Sequence, residues 1–482
     1  MRKRIIAIVL SGILACSVTA CGSKKETTVT EEATQTTALL QKNSSTTAAK
    51  ETTAENNQET TGKTETEQSV TDSSATGSSS NQSGTSQSAT GQTKVYQSAA
   101  SQTTASETTD ISDVFTERDL NQSPEVSSAT TITVSDGKTI KITEEGIYVI
   151  KGTATNCIIS VEADKEAKVQ LVLDGVNITN TDHSAIYVIS ADKCFVTTVG
   201  TSKLSVTGTF SSDGTTGDAV IYSKDDLVLN GTGQLTVISS YGNGITGKDD
   251  VKITGGTYDI TSAKDSIEAN DSIAVYDGNF TIRSSKDGLH SEYSDDDTAG
   301  WIYIAGGNFN ITASGDGIQA TTIARIDGGN FELTAGEGIE ATYVQINSGI
   351  INISASDDGI NASRKSSTYA TPVIEINGGT LTIVMGQGDT DAIDSNGNII
   401  VNGGTINITA QVSSFDYDGT AQYNGGTIII NGTQVNSIPQ SMMGGMGGMN
   451  GGNGMGEMGG MNGGNGTNGT RGMNGGPGGR MR

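Results

Sequence analysis

Seven acid or amide residues recur through the middle of this 482-residue chain, each followed by a small residue and an aliphatic one. They open Asn243-Gly-Ile, Asp265-Ser-Ile, Asp287-Gly-Leu, Asp316-Gly-Ile, Glu337-Gly-Ile, Asp358-Gly-Ile and Asp391-Ala-Ile, with steps of 22, 22, 29, 21, 21 and 33 residues. A second polar column follows three positions on: Glu268, His290, Gln319, Glu340, Asn361 and Asp394, with Glu292 just beyond His290 and Asp357 beside Asp358. If the copies stack in register, like charges stand about 5 Å apart, and each pair repels by about 1 kcal/mol in water and by more beside a protein wall. Carboxylate and amide oxygens from adjacent turns suit Ca2+ as the counterion. The candidate ligands are Asp265, Glu268, Asp287, Glu292, Asp316, Glu337, Glu340, Asp357, Asp358, Asp391 and Asp394. The plainer alternative is that Asp-Gly is good turn chemistry and its carboxylates are simply solvated.

A second constellation is Trp301 with Tyr303, the only Trp and a Tyr two residues on, beside the acidic run Ser294-Asp-Asp-Asp297. Ile302 and Ile304 alternate with them and face inward, so both rings face out, roughly 7 Å apart, a spacing suited to stacking on a sugar chain. Packing under a loop or under the N-terminal segment would account for them equally well. Catalysis has weaker support. Asp357-Asp358 and Thr390-Asp391 echo the paired acids of a hydrolase, and Arg283 precedes Asp287 as a lyase base would, but no Gly-His-Gly or Arg-Ile-Lys element accompanies them. The chain is therefore read as a binding protein, not an enzyme.

The elements that must position these residues are legible in a single repeat, Ile302-Tyr-Ile-Ala-Gly-Gly-Asn-Phe-Asn-Ile-Thr-Ala-Ser-Gly-Asp-Gly-Ile-Gln-Ala320. Ile302 and Ile304 share one strand face, and Phe309, Ile311 and Ala313 share another. Gly306-Gly307 makes the corner between these strands, Asp316-Gly317 makes the next, and Ile318 returns to the core. Three short strands and three turns close one coil. A unit this small cannot bury its apolar face alone, so copies must stack. The expected fold is all-β, a right-handed parallel β-helix of about 12–13 coils, on the order of 60 Å long at the usual sheet spacing. Tyr258, Phe280, Phe309 and Phe331 share parity with the buried Ile residues and are expected to stack inside it.

Composition bounds the rest. Lys and Arg number 29 against 54 Asp and Glu, for a net charge of −25, which argues against nucleic acid as a partner. Residues 1–21 read as a secretory signal: Met1-Arg-Lys-Arg, an apolar run from Ile5 to Ala15, and Val18-Thr-Ala-Cys21-Gly, which resembles a bacterial lipobox with Cys21 as the lipidated residue. Residues 22–129, rich in Thr, Ser and Gln, cannot bury enough apolar surface to offset chain entropy and read as a disordered stalk. Residues 130–438 form the repeat domain. Residues 439–482, rich in Gly, Met and Asn, read as a flexible tail. Cys157 and Cys194 lie in apolar runs and are expected as buried free thiols. The expected location is the outer face of the cytoplasmic membrane, lipid-anchored and reaching into the wall.

The repeat domain resembles the secreted carbohydrate-binding β-helix family of cellulolytic and gut clostridia. The likeness rests on Gly146-Ile-Tyr-Val-Ile-Lys-Gly152, Ala167-Lys-Val-Gln-Leu-Val-Leu-Asp-Gly-Val-Asn-Ile178, Ser184-Ala-Ile-Tyr-Val188 with Ala191-Asp-Lys193, and the Asp-Gly-Ile and Gly-Gly repeats. It implies a fold shaped like pectate lyases, binding of cellulose-like and polygalacturonate-like polymers, such as those of plant cell walls, and Ca2+ held at the acidic turns from Asp265 to Asp394. A structural or adhesive surface protein with no sugar ligand is the alternative, and a polysaccharide lyase is a weaker one.

Overall fold

Alternation of buried and exposed side chains along short strands, as in Asn308–Ala313, gives each segment one apolar face that only a neighbouring coil can cover. A computed structural model describes residues 111–440, apart from 389, and shows that covering to be a parallel β-helix. Each coil contributes one strand to each of three ladders. The first ladder has twelve parallel strands and includes Ile267–Ala269, Leu289–Ser291, Ile318–Ala320, Ile339–Ala341, Ile360–Ala362 and Ile393–Ser395. The second includes Ser272–Val275, Trp301–Ile304, Ile323–Ile326, Tyr343–Ile346 and Val373–Ile376, and the third Asn279–Ser284, Asn308–Ala313, Asn330–Ala335, Ile350–Ala355 and Thr380–Met385. The second and third ladders merge into one 24-stranded sheet, because the early strands Gly146–Thr155 and Lys168–Asn180 run unbroken through both.

Register is kept from coil to coil: Ile267 pairs with Leu289, Leu289 with Ile318, and Ile318 with Ile339. The aliphatic columns therefore form one continuous core from Val134 to Ile428. Within it, Tyr258, Phe280, Phe309 and Phe331 stack face to face, the last three with centroids 4.6 Å apart. The corner between the second and third ladders turns at Gly307, whose φ of +111° few side chains adopt. Cys157 and Cys194 are buried free thiols, and burial pushes the Cys194 thiol up to about 12. The two long repeat steps are loops between the first and second ladders, residues 292–300 and 363–372. They are pinned together where Ser366 and Thr368 donate to the Asp297 carbonyl, both at 2.6 Å, and the Ser367 N–H donates to its carboxylate at 2.9 Å.

Two expectations are corrected. Residues 111–129, the end of the expected stalk, are ordered, and 111–122 lie as a strap across the second ladder. The strap opens with one helical turn, Ile111–Val114, and Thr116 and Asp119 cap one another reciprocally. It is docked by buried polar contacts as well as apolar ones: Asp119 is fully buried and meets Lys193 at 3.2 Å, Gln122 donates to the Thr254 carbonyl, and Arg118 lies over the Phe195 ring at 4.6 Å. Phe115 and Val114 pack on Ala274 and Tyr303, with Leu120 and Trp301 against them. Hence the second correction: Trp301 and Tyr303 leave the strand on its outer face as expected, but the strap covers them, and Tyr303 is only 1% exposed. Its hydroxyl donates to Asp327 at 3.1 Å, so the ring is no sugar platform. Residues 1–110 and 441–482, which hold the signal, Cys21, most of the stalk and nearly all of the tail, lie outside the described residues.

Removing the Phe115 ring should cost about 3 kcal/mol of strap docking. Because Trp301 is the only Trp, Phe115→Ala should shift the protein's fluorescence to longer wavelength well before the β-helix melts. An unchanged spectrum would show that the strap does not cover this cluster.

Candidate functional site

The corner between the third and first ladders stacks its acids because it hydrogen-bonds them. The Asp287 N–H donates to Asp265 Oδ1 at 3.1 Å, the Asp316 N–H to Asp287 Oδ1 at 2.9 Å, and the Asp391 N–H to Asp358 Oδ1 at 3.1 Å. One oxygen of each of these acceptors thus satisfies a backbone donor of the next coil, which is turn chemistry, while the other oxygen remains for the column. The small second residue is required by closeness: a Cβ on Gly317 would sit 2.7 Å from the Gly338 carbonyl oxygen. The corner acids Asp265, Asp287 and Asp316 are buried.

The column divides into two parts. In the first, Asp265, Asp287 and His290 offer ligand atoms within 4.8 Å of one another. Protein cations already fill the centre: Lys286 Nζ lies 2.9 Å from Asp265 and 3.4 Å from Asp287, and His290 Nδ1 lies 3.4 Å from Asp265. Burial pushes Asp265 up, but bonds from His290 and Lys286 prevail and hold it well below the usual carboxylate range. Burial pulls His290 down, and its bond to Asp265 more than reverses this, leaving it raised. Asp287 is raised by burial and by Asp265. Glu268 takes Lys248 at 3.3 Å and Thr246 at 3.1 Å, and the exposed Glu292 lies 3.3 Å from His290 Nε2.

The second part begins at Asp316. Its carboxylate, with those of Glu337 and Glu340, forms an all-oxygen cluster within 4.8 Å. Gln319 bridges Asp316 and Glu340 at 2.7 and 2.8 Å, and Lys365 reaches Glu340 from the 363–372 loop at 2.7 Å. Burial pushes Glu340 up, yet Lys365, Gln319 and Ser363 bring it below its ordinary value. The amide bonds that Gln319 gives Asp316 and Asn361 gives Glu337 do not offset the burial of these two neighbours. Burial, then Glu337 and Asp287, lift Asp316 from 3.8 to about 8, and burial with Glu340 lifts Glu337 from 4.5 to about 7. Further along, burial and neighbouring acids lift Asp358 to about 6 and Asp394 to about 7. Asp357 is exposed beside them, and Asp391 is half-buried. Asn361 donates to Glu337 at 3.1 Å, while its buried Oδ1 has no hydrogen-bond partner. Buried and half-buried carboxylates with little countercharge, together with an orphaned amide oxygen, fit a hard divalent cation such as Ca2+.

Lys286 and Lys365 were not anticipated as column residues. Lys286 has a sequence signal, since Lys precedes the corner acid at 264 and 286 whereas Gly precedes it at 315 and 336. Lys365 comes from an inserted loop and has none.

The profile of the family described as carbohydrate-binding domain-containing proteins matches residues 136–392. A carbohydrate-binding domain-containing protein of Acetivibrio thermocellus is 41% identical over 202 residues, which are 41% of this chain and 71% of that protein. A solved structure of the polysaccharide lyase-like protein from C. thermocellum, a gadolinium derivative, is 30% identical, covers 46% of this chain and 96% of its own, and superposes with a TM-score of 0.42.

The raised acids have a consequence in the presence of chelator. Between their ordinary values near 4 and folded values near 6–8, the folded chain keeps protons that the unfolded chain has released, so stability falls as pH rises through that window. Thermal melts should therefore show a lower Tm at about pH 8 than at about pH 5, and Asp316→Asn with Glu337→Gln should flatten the slope. A Tm that rises across the window would contradict the assigned burial.

Proposed function

The chain belongs to the carbohydrate-binding domain family, and from that membership we propose that it binds an extended polysaccharide of the cellulose- or pectin-like kind, without cleaving it, on a β-helix stabilised by calcium. The observation that carries the reading is the match over 136–392, which takes in the acidic column from Asp265 to Asp391. Calcium, when bound, supplies the positive charge that the second part of that column lacks. Asp316, Glu337, Glu340 and the Asn361 carbonyl are the residues to hold one ion, and Asp358 with Asp391 and Asp394 could supply oxygens to another. The first part, from Asp265 to His290, already holds Lys286 and His290 against its carboxylates, which favours the second part as the place for the ion.

A binding role without catalysis is supported by where the arginines go. Arg325 is buried and holds Asp327 at 2.8 Å, and Arg283 pairs with Asp259 at 3.0 Å on the third ladder. Both pair with acids outside the acidic column, which supports binding over uronate cleavage. The lipobox-like Val18-Thr-Ala-Cys21 and the long polar segment after it support attachment to the outer face of the cytoplasmic membrane, with the β-helix presented to wall polysaccharide.

Calcium should raise the Tm of the chelated protein at about pH 8, and Asp316→Asn with Glu337→Gln should abolish most of that rise while Asp265→Asn leaves it. Retention of the full chain on cellulose or pectin, with no unsaturated product absorbing in the ultraviolet, is the expected functional result. Failure to be retained by any glycan, with or without calcium, would refute the binding role, and release of unsaturated product would refute its non-catalytic character.

A further inference from the structure

With Trp301 and Tyr303 covered, a polysaccharide needs another surface. The outer side of the first ladder carries the acidic column, and the strap covers part of the second. Beyond the strap the outward positions of the second ladder hold the buried Arg325 and the half-buried Gln345 and Glu375, with Arg325 tied to Asp327 and Gln345 to Glu375. The third ladder differs in chemistry and in coverage. Its outward positions are chiefly Asn, Thr and Ser, and they are exposed along successive coils.

We propose that this outer face of the third ladder is the glycan-binding surface, and that its ligand is an extended, uncharged hexose polymer lying along the coil axis. The inference rests on the polysaccharide-binding reading above and specifies its site and ligand class. Four observations support it. The first is a lengthwise amide ladder: Asn308 Nδ2 donates to Asn279 Oδ1 and Asn330 Nδ2 to Asn308 Oδ1, both at 2.9 Å. Each shared bond fixes which way the amide points and leaves its second hydrogen and a carbonyl lone pair for a ligand hydroxyl. The second is apolar surface in the same lattice. Ile350 and Val384, 51% and 44% exposed, are the large hydrophobic residues that stand outward on strands among the described residues, and carbon-hydrogen faces of sugar rings need such ground.

Third, the face carries little net charge although the chain carries −25: between Thr257 and Met385 the strands of this ladder hold Asp259, which is paired with Arg283, and one further acid, Glu332, which accepts from Asn352 at 2.6 Å. A neutral polymer meets no repulsion there, whereas a polyuronate gains no attraction. Fourth, the period fits. Equivalent side chains recur about every 4.8 Å along the axis and about 7 Å apart across it, so an extended hexose chain meets one rung for roughly each ring. A shallow groove running from Asn279 to Asn352 follows this axis.

The test is retention of the full chain on microcrystalline cellulose and its mobility in gels containing hydroxyethylcellulose, with polygalacturonate as the charged comparator. Asn310→Ala combined with Ile350→Ala and Val384→Ala should weaken binding to the neutral polymers about tenfold or more without changing the melt. Thr312→Glu, which adds charge and bulk to the same face, should do so as well. Binding to the neutral polymer should survive both chelator and high salt. Equal retention of wild type and both face variants would overturn this site while leaving polysaccharide binding intact. So would loss confined to Tyr241→Ala, the most exposed aromatic among the described residues. If wild type is retained by no polymer, the binding reading itself falls.

Discussion

The structure depends on coil-to-coil register, and at the acidic corner that register is held by a hydrogen bond from the backbone of one coil to the carboxylate of the one before. Asp265 accepts from Asp287, Asp287 from Asp316, and Asp358 from Asp391. At these three steps the bond that ties one corner to the next also places like charges one above another. Turn chemistry and charge accumulation are therefore consequences of one arrangement: one oxygen of the acid works for the fold, and the other is left with an electrostatic cost.

How that cost is met differs along the column. Around Asp265 and Asp287 the protein supplies Lys286 and His290 and the carboxylates are settled from within. From Asp316 to Asp394 it supplies one lysine, Lys365, at Glu340, and the buried Asp316 with the half-buried Glu337 and Asp394 are held protonated toward neutral pH unless a cation replaces their protons. The binding of an external ion is thus expected in one stretch of the ladder and not throughout. The glycan would be met by a different ladder, since the three faces divide the labour: acids on the first, the strap on the second, amides and hydroxyls on the third.

Much of this was legible in the chain. The 22-residue period, the Gly-Gly and Asp-Gly corners and the parity of Phe309 with Ile311 lead directly to a parallel β-helix, because each copy has one strand pattern and no other way to bury it. The vertical alignment of the acids followed too. The strap was not legible: residues 111–122 end a low-complexity run, are too short to show a period, and find Lys193 and Thr254 74 and 132 residues away. Thr116-Glu-Arg-Asp119 was its one local signal. The sequence reading therefore left Trp301 and Tyr303 open between a sugar platform and packing under the N-terminal segment, since the outward direction of a side chain follows from alternation but its covering does not. The split in the acid column was half legible, in the Lys that precedes Asp287 and the Gly that precedes Asp316.

The most direct measurement of the acidic ladder is calorimetric titration of the full chain with Ca2+ at about pH 8, repeated in buffers of different ionisation enthalpy. The account predicts saturable binding accompanied by proton release, because the ion displaces the proton that Asp316, lifted to about 8, still holds in part at that pH. No binding heat, or binding without proton release, would contradict it.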